Sequence, residues 1–302
     1  MNPKKRCQCS RMVVSMDKYY RKRLVPLLLP AMILFIMVIL IPFGIGVIYS
    51  FCGWRGTYFA GGDHFYDAFV GFQNYIKVFK SSKFRDSFVY TLEFTVVAVI
   101  ALNIVSLIMA LLATSVHKGA GAYRTIYFMP NLLGGLALGY IWQLIFNGIL
   151  EKYGTALALN EWYGFWGLII LVSWQQIGYM MIIYIAGLQS IPGDVIEAAQ
   201  IDGAGKWTKL FKVTIPMMMP SITICMFLSL TNGFKLFDQN LSLTAGEPSK
   251  MSEMMALNIF NTFYGRTGWE GVGQAKAVLF FVLVVAISMI QLHMTRSKEV
   301  QQ

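Results

Sequence analysis

A short glycine-rich stretch that ends in lysine, residues 203–206 (GAGK), has the composition of a phosphate-binding loop. Such a loop needs the pattern G-x-x-x-x-G-K-[S/T] after a buried strand, so that backbone N–H groups surround the phosphates and a hydroxyl binds Mg²⁺. Here the first glycine position is Gln200, the hydroxyl position is Trp207, and no strand-like segment precedes them. The stretch therefore does not predict an ATP site in this chain.

The residues that most often form metal or catalytic centres are few and scattered. The four cysteines are Cys7, Cys9, Cys52 and Cys225, and the three histidines are His64, His117 and His293. A lone C-x-C pair in a basic tail is better read as two ordinary thiols than as a metal site. The histidines fall in different loops and span ends, and no H-E-x-x-H motif is present. We predict no catalytic residue, no metal site and no cofactor.

The composition places the chain in a membrane. Of its 302 residues, 56% are hydrophobic and 13% are charged, about half the charged share of an ordinary soluble domain. A helix needs about 20 mainly apolar residues to cross the hydrocarbon core. The apolar runs of that length predict six spans, at about 24–51, 88–115, 124–146, 164–187, 220–240 and 274–295. The first run is too long for the hydrophobic part of a signal peptide, so we read it as a retained span.

The distribution of lysine and arginine predicts the orientation of these spans. Eight basic residues lie in 1–23, and the segments on the same side of the membrane bring that side to fourteen, against eight in the longer loops of the other side. By the positive-inside rule, both termini are then cytoplasmic. The formal net charge of +10 is explained by basic residues beside anionic lipid headgroups. We therefore predict no nucleic-acid partner, since no soluble segment is large enough to form a basic surface.

The loop 188–219, between the fourth and fifth spans, is patterned as two short helices. Pro192 suits the first turn of a helix over 192–202, and Gly203 is a natural stop. A second helix fits 204–214, with one face formed by Trp207, Leu210, Phe211 and Thr214, and with Lys206, Lys209 and Lys212 on the other. This segment is either an amphipathic connector or a docking element for a soluble partner.

At these residues the chain resembles the permease subunits of binding-protein-dependent ATP-binding-cassette (ABC) importers. Their "EAA" motif is E-A-A, three residues, G, nine residues, I-x-L-P, and here Glu197-Ala198-Ala199, Gly203, Val213, Ile215 and Pro216 fall on its positions. The stretches VGFQNYIKVF (70–79), YRTIYFMPNLL (123–133), AGLQSIPGD (186–194) and GFKLFDQNLSLTAGEP (233–248) resemble the sugar-permease branch. Glu247, where many relatives have a glycine-rich turn, is a departure that concerns the conformation of that loop.

The resemblance implies an all-α, polytopic membrane protein of six transmembrane helices with a cytoplasmic two-helix coupling loop. It implies a basic N-terminal tail at 1–23, a permease domain at 24–296 and a C-terminal tail at 297–302, in a bacterial cytoplasmic membrane. The implied partners are a second homologous permease, two ABC ATPase subunits and an extracytoplasmic solute-binding protein that delivers the sugar. The coupling surface that contacts the ATPases is implied to comprise Glu197, Ala198, Ala199, Asp202 and Gly203.

Polar residues inside the predicted spans are candidates for the substrate path, because polar groups in a membrane usually face a cavity or one another. They are Trp174, Gln175, Gln176 and Tyr179 in the fourth span and Asn232 and Lys235 in the fifth. Amides can hydrogen-bond to sugar hydroxyls, and aromatic rings can stack on the apolar faces of a sugar. In relatives, sugar-contacting positions lie in these same two regions. The alternative is that these side chains only pack helices together.

The sequence lacks the features of two other classes of membrane protein. A self-sufficient secondary carrier is expected to show paired repeats with broken helices and acidic residues at mid-membrane, and neither a repeat nor a mid-span acid pair is visible. An intramembrane enzyme needs a nucleophile–base pair or a metal cluster, which is also not visible. Within the resemblance, the substrate is an oligosaccharide or monosaccharide or, alternatively, glycerol phosphate or another polyol derivative, for which Lys235 would suit the anionic group.

Overall fold

The computed structural model of the chain describes residues 26, 28–62, 64, 66–115 and 119–297. Tail 1–23, residues 298–302, Cys7, Cys9 and His117 lie outside this range. The helical segments are α1 (Leu28–Ser50), α2 (Gln73–Lys80), α3 (Ser82–Ser115), α4 (Ala120–Leu132), α5 (Gly135–Leu150), α6 (Glu161–Gln189), α7 (Gly193–Ile201), α8 (Lys206–Met217), α9 (Met219–Phe234), α10 (Asp238–Leu243), α11 (Met255–Tyr264) and α12 (Glu270–Arg296). In the described residues the only β-structure is a few isolated bridges between residues 52 and 69, so the predicted all-α class is confirmed.

Four helices are long and apolar enough to cross a membrane without a break: α1, α3, α6 and α12. They correspond to the first, second, fourth and sixth predicted spans. α3, α6 and α12 each begin three to six residues earlier than predicted, at Ser82, Glu161 and Glu270. The hydropathy of a span identifies the part in the hydrocarbon core, while the helix continues past it into the headgroup region.

The third and fifth predicted spans are not continuous helices. Segment 124–146 is broken between α4 and α5, whose axes differ by 97°, and α8 and α9 are bent by 71° at Met218. Leu133 and Gly134, at the first break, have extended backbone, and the nearby Pro130 lacks an N–H for a helical hydrogen bond. The fifth span, predicted as 220–240, ends at Phe234, and a separate helix, α10, follows. Six crossings result when each bent pair is counted as one span.

Side-chain contacts fix the directions in which the helices run. Tyr90 of α3 contacts Phe165 of α6, and Lys276 of α12 lies over Phe84 of α3, so these three helices begin at one end of the bundle. Phe43, near the end of α1, contacts Phe281 of α12, which makes α1 antiparallel to them. The starts of α3, α6 and α12 and the end of α1 therefore share one end of the bundle. Phe234, the last residue of α9, contacts Phe280 in the first half of α12, so α9 runs towards the same end. The α7–α8 hairpin, the start of α1 and the end of α12 share the other end.

Buried residues of α3 and α6 form the centre of the bundle, with α9 packed beside them. Asn103 of α3 makes two hydrogen bonds to other helices in this core. Its Nδ2 donates to Ser229 Oγ of α9 at 2.9 Å, and its Oδ1 accepts a hydrogen bond from the Tyr184 hydroxyl of α6 at 2.6 Å. Interhelical hydrogen bonds of this kind are worth about 0.6 kcal/mol on average inside membranes. Asn103 thus holds three helices in register, a role that sequence analysis did not identify.

Candidate coupling loop and substrate path

The EAA segment forms a helical hairpin, as its spacing predicted, with α7 at Gly193–Ile201 and α8 beginning at Lys206. The turn between them is a Schellman motif, in which the N–H of Gly203 donates to the carbonyl of Gln200 and the N–H of Ala204 donates to that of Ala199. Gly203 has φ +78°, a conformation that glycine adopts without the steric cost that a side chain adds. This glycine therefore sets the direction in which α8 leaves α7.

The base of the hairpin is anchored in the bundle, while its tip is exposed. Leu188, Ile191 and Met218 pack against the buried cluster that includes Tyr184 and Ile185 of α6. Of the predicted coupling residues, Glu197, Ala198, Asp202 and Gly203 are exposed, and Ala199 is half-buried. The five lie on one contiguous piece of chain, which the rest of the molecule leaves uncovered.

Three large apolar side chains at the hairpin tip are also uncovered. Ile201 is 86% exposed, Trp207 74% and Phe211 60%, and the rings of Trp207 and Phe211 stack at 6.1 Å. The sequence placed Trp207 and Phe211 on one face with Leu210 and Thr214. In the structure only Thr214 of that face is buried, because the first part of α8 projects beyond the bundle and a π-helical turn at Leu210–Thr214 changes the register. We refer to Ile201, Trp207 and Phe211 as the tip patch.

The predicted substrate-path residues separate into groups with different surroundings. Gln175 is buried, and both ends of its amide are engaged, since Nε2 donates to the carbonyl of Leu133 at 3.1 Å and Oε1 accepts from Gln239 at 2.8 Å. The Leu133 carbonyl belongs to the break between α4 and α5. Gln175 therefore compensates the backbone hydrogen bond that this break removes, and links it to α10.

Gln176 and Asn232 face each other between α6 and α9. Asn232 Nδ2 lies 3.5 Å from Gln176 Oε1, a contact at the long limit of a hydrogen bond. Gln176 is 9% exposed and Asn232 is half-buried. These two amides are the members of the predicted set that the structure brings together, and they retain donor and acceptor capacity for another polar group.

The remaining candidates lie apart from this pair. Trp174 is 44% exposed and makes an edge contact with Trp142 of α5, while Tyr179 contacts Phe128 of α4. Lys235 is exposed and lines a mainly apolar cavity of about 450 Å³ between α9 and α12, a cavity that includes neither Gln176 nor Asn232. Among the described residues, no group of three His, Cys, Asp or Glu side chains is arranged to hold a metal ion.

Comparisons with known proteins agree with this architecture. The family described as "Binding-protein-dependent transport system inner membrane component" matches residues 103–299. The "Probable starch degradation products transport system permease protein AmyD" of Thermoanaerobacterium thermosulfurigenes is 41% identical over 280 residues, covering 90% of this chain and 93% of the relative. The "Multiple sugar-binding transport system permease protein MsmF" of Streptococcus mutans is 29% identical, with 84% and 89% covered.

A solved structure has the same fold. It is a chain of the bacterial ABC transporter involved in the import of the acidic polysaccharide alginate, and it superposes with a TM-score of 0.76 at 20% identity, covering 94% of this chain and 98% of its own. The family model matches nearly two thirds of this chain, and a relative at 41% identity covers nine tenths of it. This multi-pass membrane protein belongs to the family of inner membrane components of binding-protein-dependent transport systems.

Proposed function

We propose that this chain is a permease subunit of an ABC importer that carries a sugar, and that partner subunits hydrolyse the ATP. Membership of the family supports the transport role, and the names of the two relatives, which refer to starch degradation products and to multiple sugars, support the substrate class. In the chain itself the Gly203–Lys206 stretch lacks the first glycine and the hydroxyl of a phosphate-binding loop.

The observation that carries the proposal is the exposed α7–α8 hairpin. The tip patch consists of three uncovered apolar side chains beside Glu197 and Asp202. Such a patch is typical of a protein–protein interface and not of a surface that faces only solvent. The small side chains of Ala198 and Ala199 allow a partner backbone to approach closely. The hairpin base is packed on α6 and α9, so a force applied at the tip by an ATPase subunit is transmitted to helices that cross the membrane.

The same helices carry the proposed sugar contacts. Gln176 and Asn232, on α6 and α9, supply amide donors and acceptors for hydroxyl groups. Trp174, which is 44% exposed on another face of α6, is placed to contact a second permease. Tyr179 lies about one turn beyond Gln176, beside Phe128 of α4, where it can contact the substrate as it leaves. The complete importer thus contains this chain, a second homologous permease, two ATPase subunits and an extracytoplasmic binding protein. Because the ATPase subunits are in the cytoplasm, the hairpin end of the bundle is proposed to be cytoplasmic.

The test is sugar-stimulated ATP hydrolysis in liposomes that contain the candidate binding protein, second permease and ATPase subunits, with and without this chain. Stimulation is expected to require this chain. We propose that Glu197 pairs with a basic group of the ATPase. Stimulation should then fall roughly tenfold or more in Glu197→Lys, because like charges placed across an interface cost several kcal/mol. Glu151→Lys is the matched control, since Glu151 is exposed at the opposite end of the bundle and the same change in charge there should leave ATP hydrolysis unaltered.

Two further variants separate coupling from insertion. Gly203→Pro should also abolish coupling, because proline holds φ near −65° and Gly203 has φ +78°. Trp207→Ser combined with Phe211→Ser removes most of the tip patch without changing residues of the bundle, and it should also reduce the sugar-stimulated ATP hydrolysis. All variants should reach the membrane in normal amounts. Uptake by this chain alone, with no ATPase present, would instead establish a secondary carrier. A panel of sugars and glycerol phosphate identifies the substrate.

A further inference from the structure

A network of buried polar side chains lies at the end of the bundle opposite the hairpin. Glu253, Asn258, Thr262 and Lys276 are each 3–4% exposed. Lys276 Nζ donates to Asn258 Oδ1 at 2.7 Å and to Thr262 Oγ1 at 2.8 Å. Asn258 Nδ2 donates to Glu253 Oε2 at 2.7 Å, and Asn261 donates to the other oxygen of the same carboxylate. The network ties the start of α12 to α11 and the loop before it.

This network is the floor of an open polar cavity of about 260 Å³, which sequence analysis did not predict. Its rim is formed by Lys83 at the start of α3, Lys250 in the loop before α11, and Arg266 after α11, all exposed. With Lys276, four cationic side chains line the cavity against the single carboxylate of Glu253. Lys276 lies within the predicted sixth span. A charged residue inside a span usually marks a functional or polar site, so Lys276 could have indicated this cavity from the sequence.

Among the described residues, the rim cations have no anionic partner. In the described part of the molecule, none of the three lies within 4.0 Å of a carboxylate oxygen. Lys250 Nζ donates to the carbonyl of Ala245 at 3.0 Å, and the guanidinium of Arg266 lies 5.4 Å from the centre of the Trp269 ring. Several unpaired cations around a concave site produce a positive potential that attracts an anionic group and repels a cationic one.

The surroundings of the cavity indicate a protein surface as the source of that anionic group. Tyr264 beside the rim is 73% exposed, Phe79 is 70% exposed and Met251 is 51% exposed. Exposed aromatic residues and methionine around an arginine are the composition typical of protein–protein interfaces. Because the cavity lies at the end opposite the hairpin, it faces the side from which, on the proposed function, the solute-binding protein delivers its cargo.

We propose that this cavity, the α11 pocket, receives an acidic side chain, aspartate or glutamate, from the solute-binding protein when the two dock. The inference rests on the proposed function and adds a specific contact to it. The carboxylate enters between Lys83, Lys250 and Arg266, and the buried Glu253–Asn258–Lys276 network holds the floor of the pocket in shape beneath it. Charge pairs at the rim of an interface mainly increase the rate of association and its dependence on salt.

The experiment is a titration of the complete transporter, reconstituted in nanodiscs, with its sugar-loaded binding protein, measured as ATP hydrolysis. Arg266→Glu and Lys83→Glu should each raise the concentration of binding protein at half-maximal rate by roughly fivefold or more, with the rate at saturation retained. The wild type should lose affinity steeply with added sodium chloride, and the variants less so. The control is Lys152→Glu, the same change in charge at an exposed residue in another loop at this end, and it should titrate like the wild type.

A charge exchange gives the decisive result. Acidic surface residues of the binding protein are changed to lysine one at a time, and one such change should weaken the wild-type complex but restore docking with Arg266→Glu. The proposal is overturned if the pocket variants titrate like Lys152→Glu. It is also overturned if no change of an acidic surface residue of the binding protein to lysine restores docking with Arg266→Glu. If the wild type is not stimulated by any binding protein, the proposed function itself fails.

Discussion

Two adjacent glutamines on α6 show how strongly the role of a residue depends on its partners. Gln175 and Gln176 have the same chemistry, but successive helical residues project about 100° apart. Gln175 therefore meets the break at Leu133 and the amide of Gln239, while Gln176 meets Asn232 of α9. Gln175 has its hydrogen-bonding groups engaged inside the chain, whereas the Gln176–Asn232 contact is long and leaves capacity for a ligand.

This difference predicts different defects for two matched substitutions. Gln176→Ala should raise the KM for sugar transport severalfold with little change in thermal stability, because the lost group contributes to the ligand more than to the fold. Gln175→Ala should lower stability by about 1–2 kcal/mol, since it leaves the Leu133 carbonyl without its buried donor. Transport kinetics in liposomes and thermal unfolding in detergent measure the two effects. Unchanged affinity and specificity in both Gln176→Ala and Asn232→Ala would remove this pair from the substrate path.

The residue types alone could not have separated these roles. Sequence analysis grouped Gln175 with Gln176 because both are polar residues in an apolar span, and the partner of Gln175 on α10 lies 64 positions away along the chain. The α11 pocket was missed for the same reason, since Lys83, Lys250 and Lys276 come from three distant segments. By contrast, the EAA hairpin could be predicted because its glycine, its prolines and its alanines act over a few neighbouring residues.

At the level of elements, hydropathy located all six candidate spans of the described residues but not the two bends. Apolar composition is the same whether a helix continues or turns inside the protein, so segment 124–146 looked like one span. The break between α4 and α5 is made possible by close packing, because Gly178 of α6 lies directly against the backbone of Tyr127 and Phe128 in α4. A non-helical backbone at membrane depth is tolerated where protein covers it, and α6 supplies that cover.

Gly178→Ala is therefore expected to destabilise the protein. The added Cβ would overlap the carbonyl oxygen of Tyr127, which is backbone and cannot rotate away, so α4 must shift. Overpacking of this kind typically costs 1–3 kcal/mol, visible as a lower Tm in detergent. Gly148→Ala, in α5, is the matched control because, apart from its chain neighbours and the backbone of its own helix, nothing lies within 4 Å of its added Cβ. Alanine there should be neutral or slightly stabilising, as expected for an exposed helical glycine. Equal Tm values for the two variants would contradict this account of the break.

At the level of the whole molecule, the two ends of the bundle carry different chemistry. The hairpin end presents Ile201, Trp207 and Phe211 with nearby carboxylates and lysines, while the opposite end presents the cationic rim of the α11 pocket. The ends are connected by α6 and α9, which carry both the base of the hairpin and the Gln176–Asn232 pair. A movement of the hairpin relative to α3 therefore changes the spacing of the polar groups on which the proposed substrate path depends.

The proposed function requires one orientation in the membrane, with the hairpin end in the cytoplasm. Fourteen lysines and arginines on that side against eight on the other predict it. The test uses a chain whose four native cysteines are replaced by serine. One variant of it carries a single thiol at the end of α12 (Ser297→Cys), and a second carries a single thiol at the opposite end (Lys152→Cys); both positions are exposed. A membrane-impermeant maleimide should label Lys152→Cys in intact cells stripped of any outer layer, and should label Ser297→Cys only after the membrane is permeabilised. Labelling after permeabilisation confirms that both thiols are reactive. The reverse pattern would place the α11 pocket in the cytoplasm, where it could not meet an extracytoplasmic protein, and the docking proposal would fail together with the orientation.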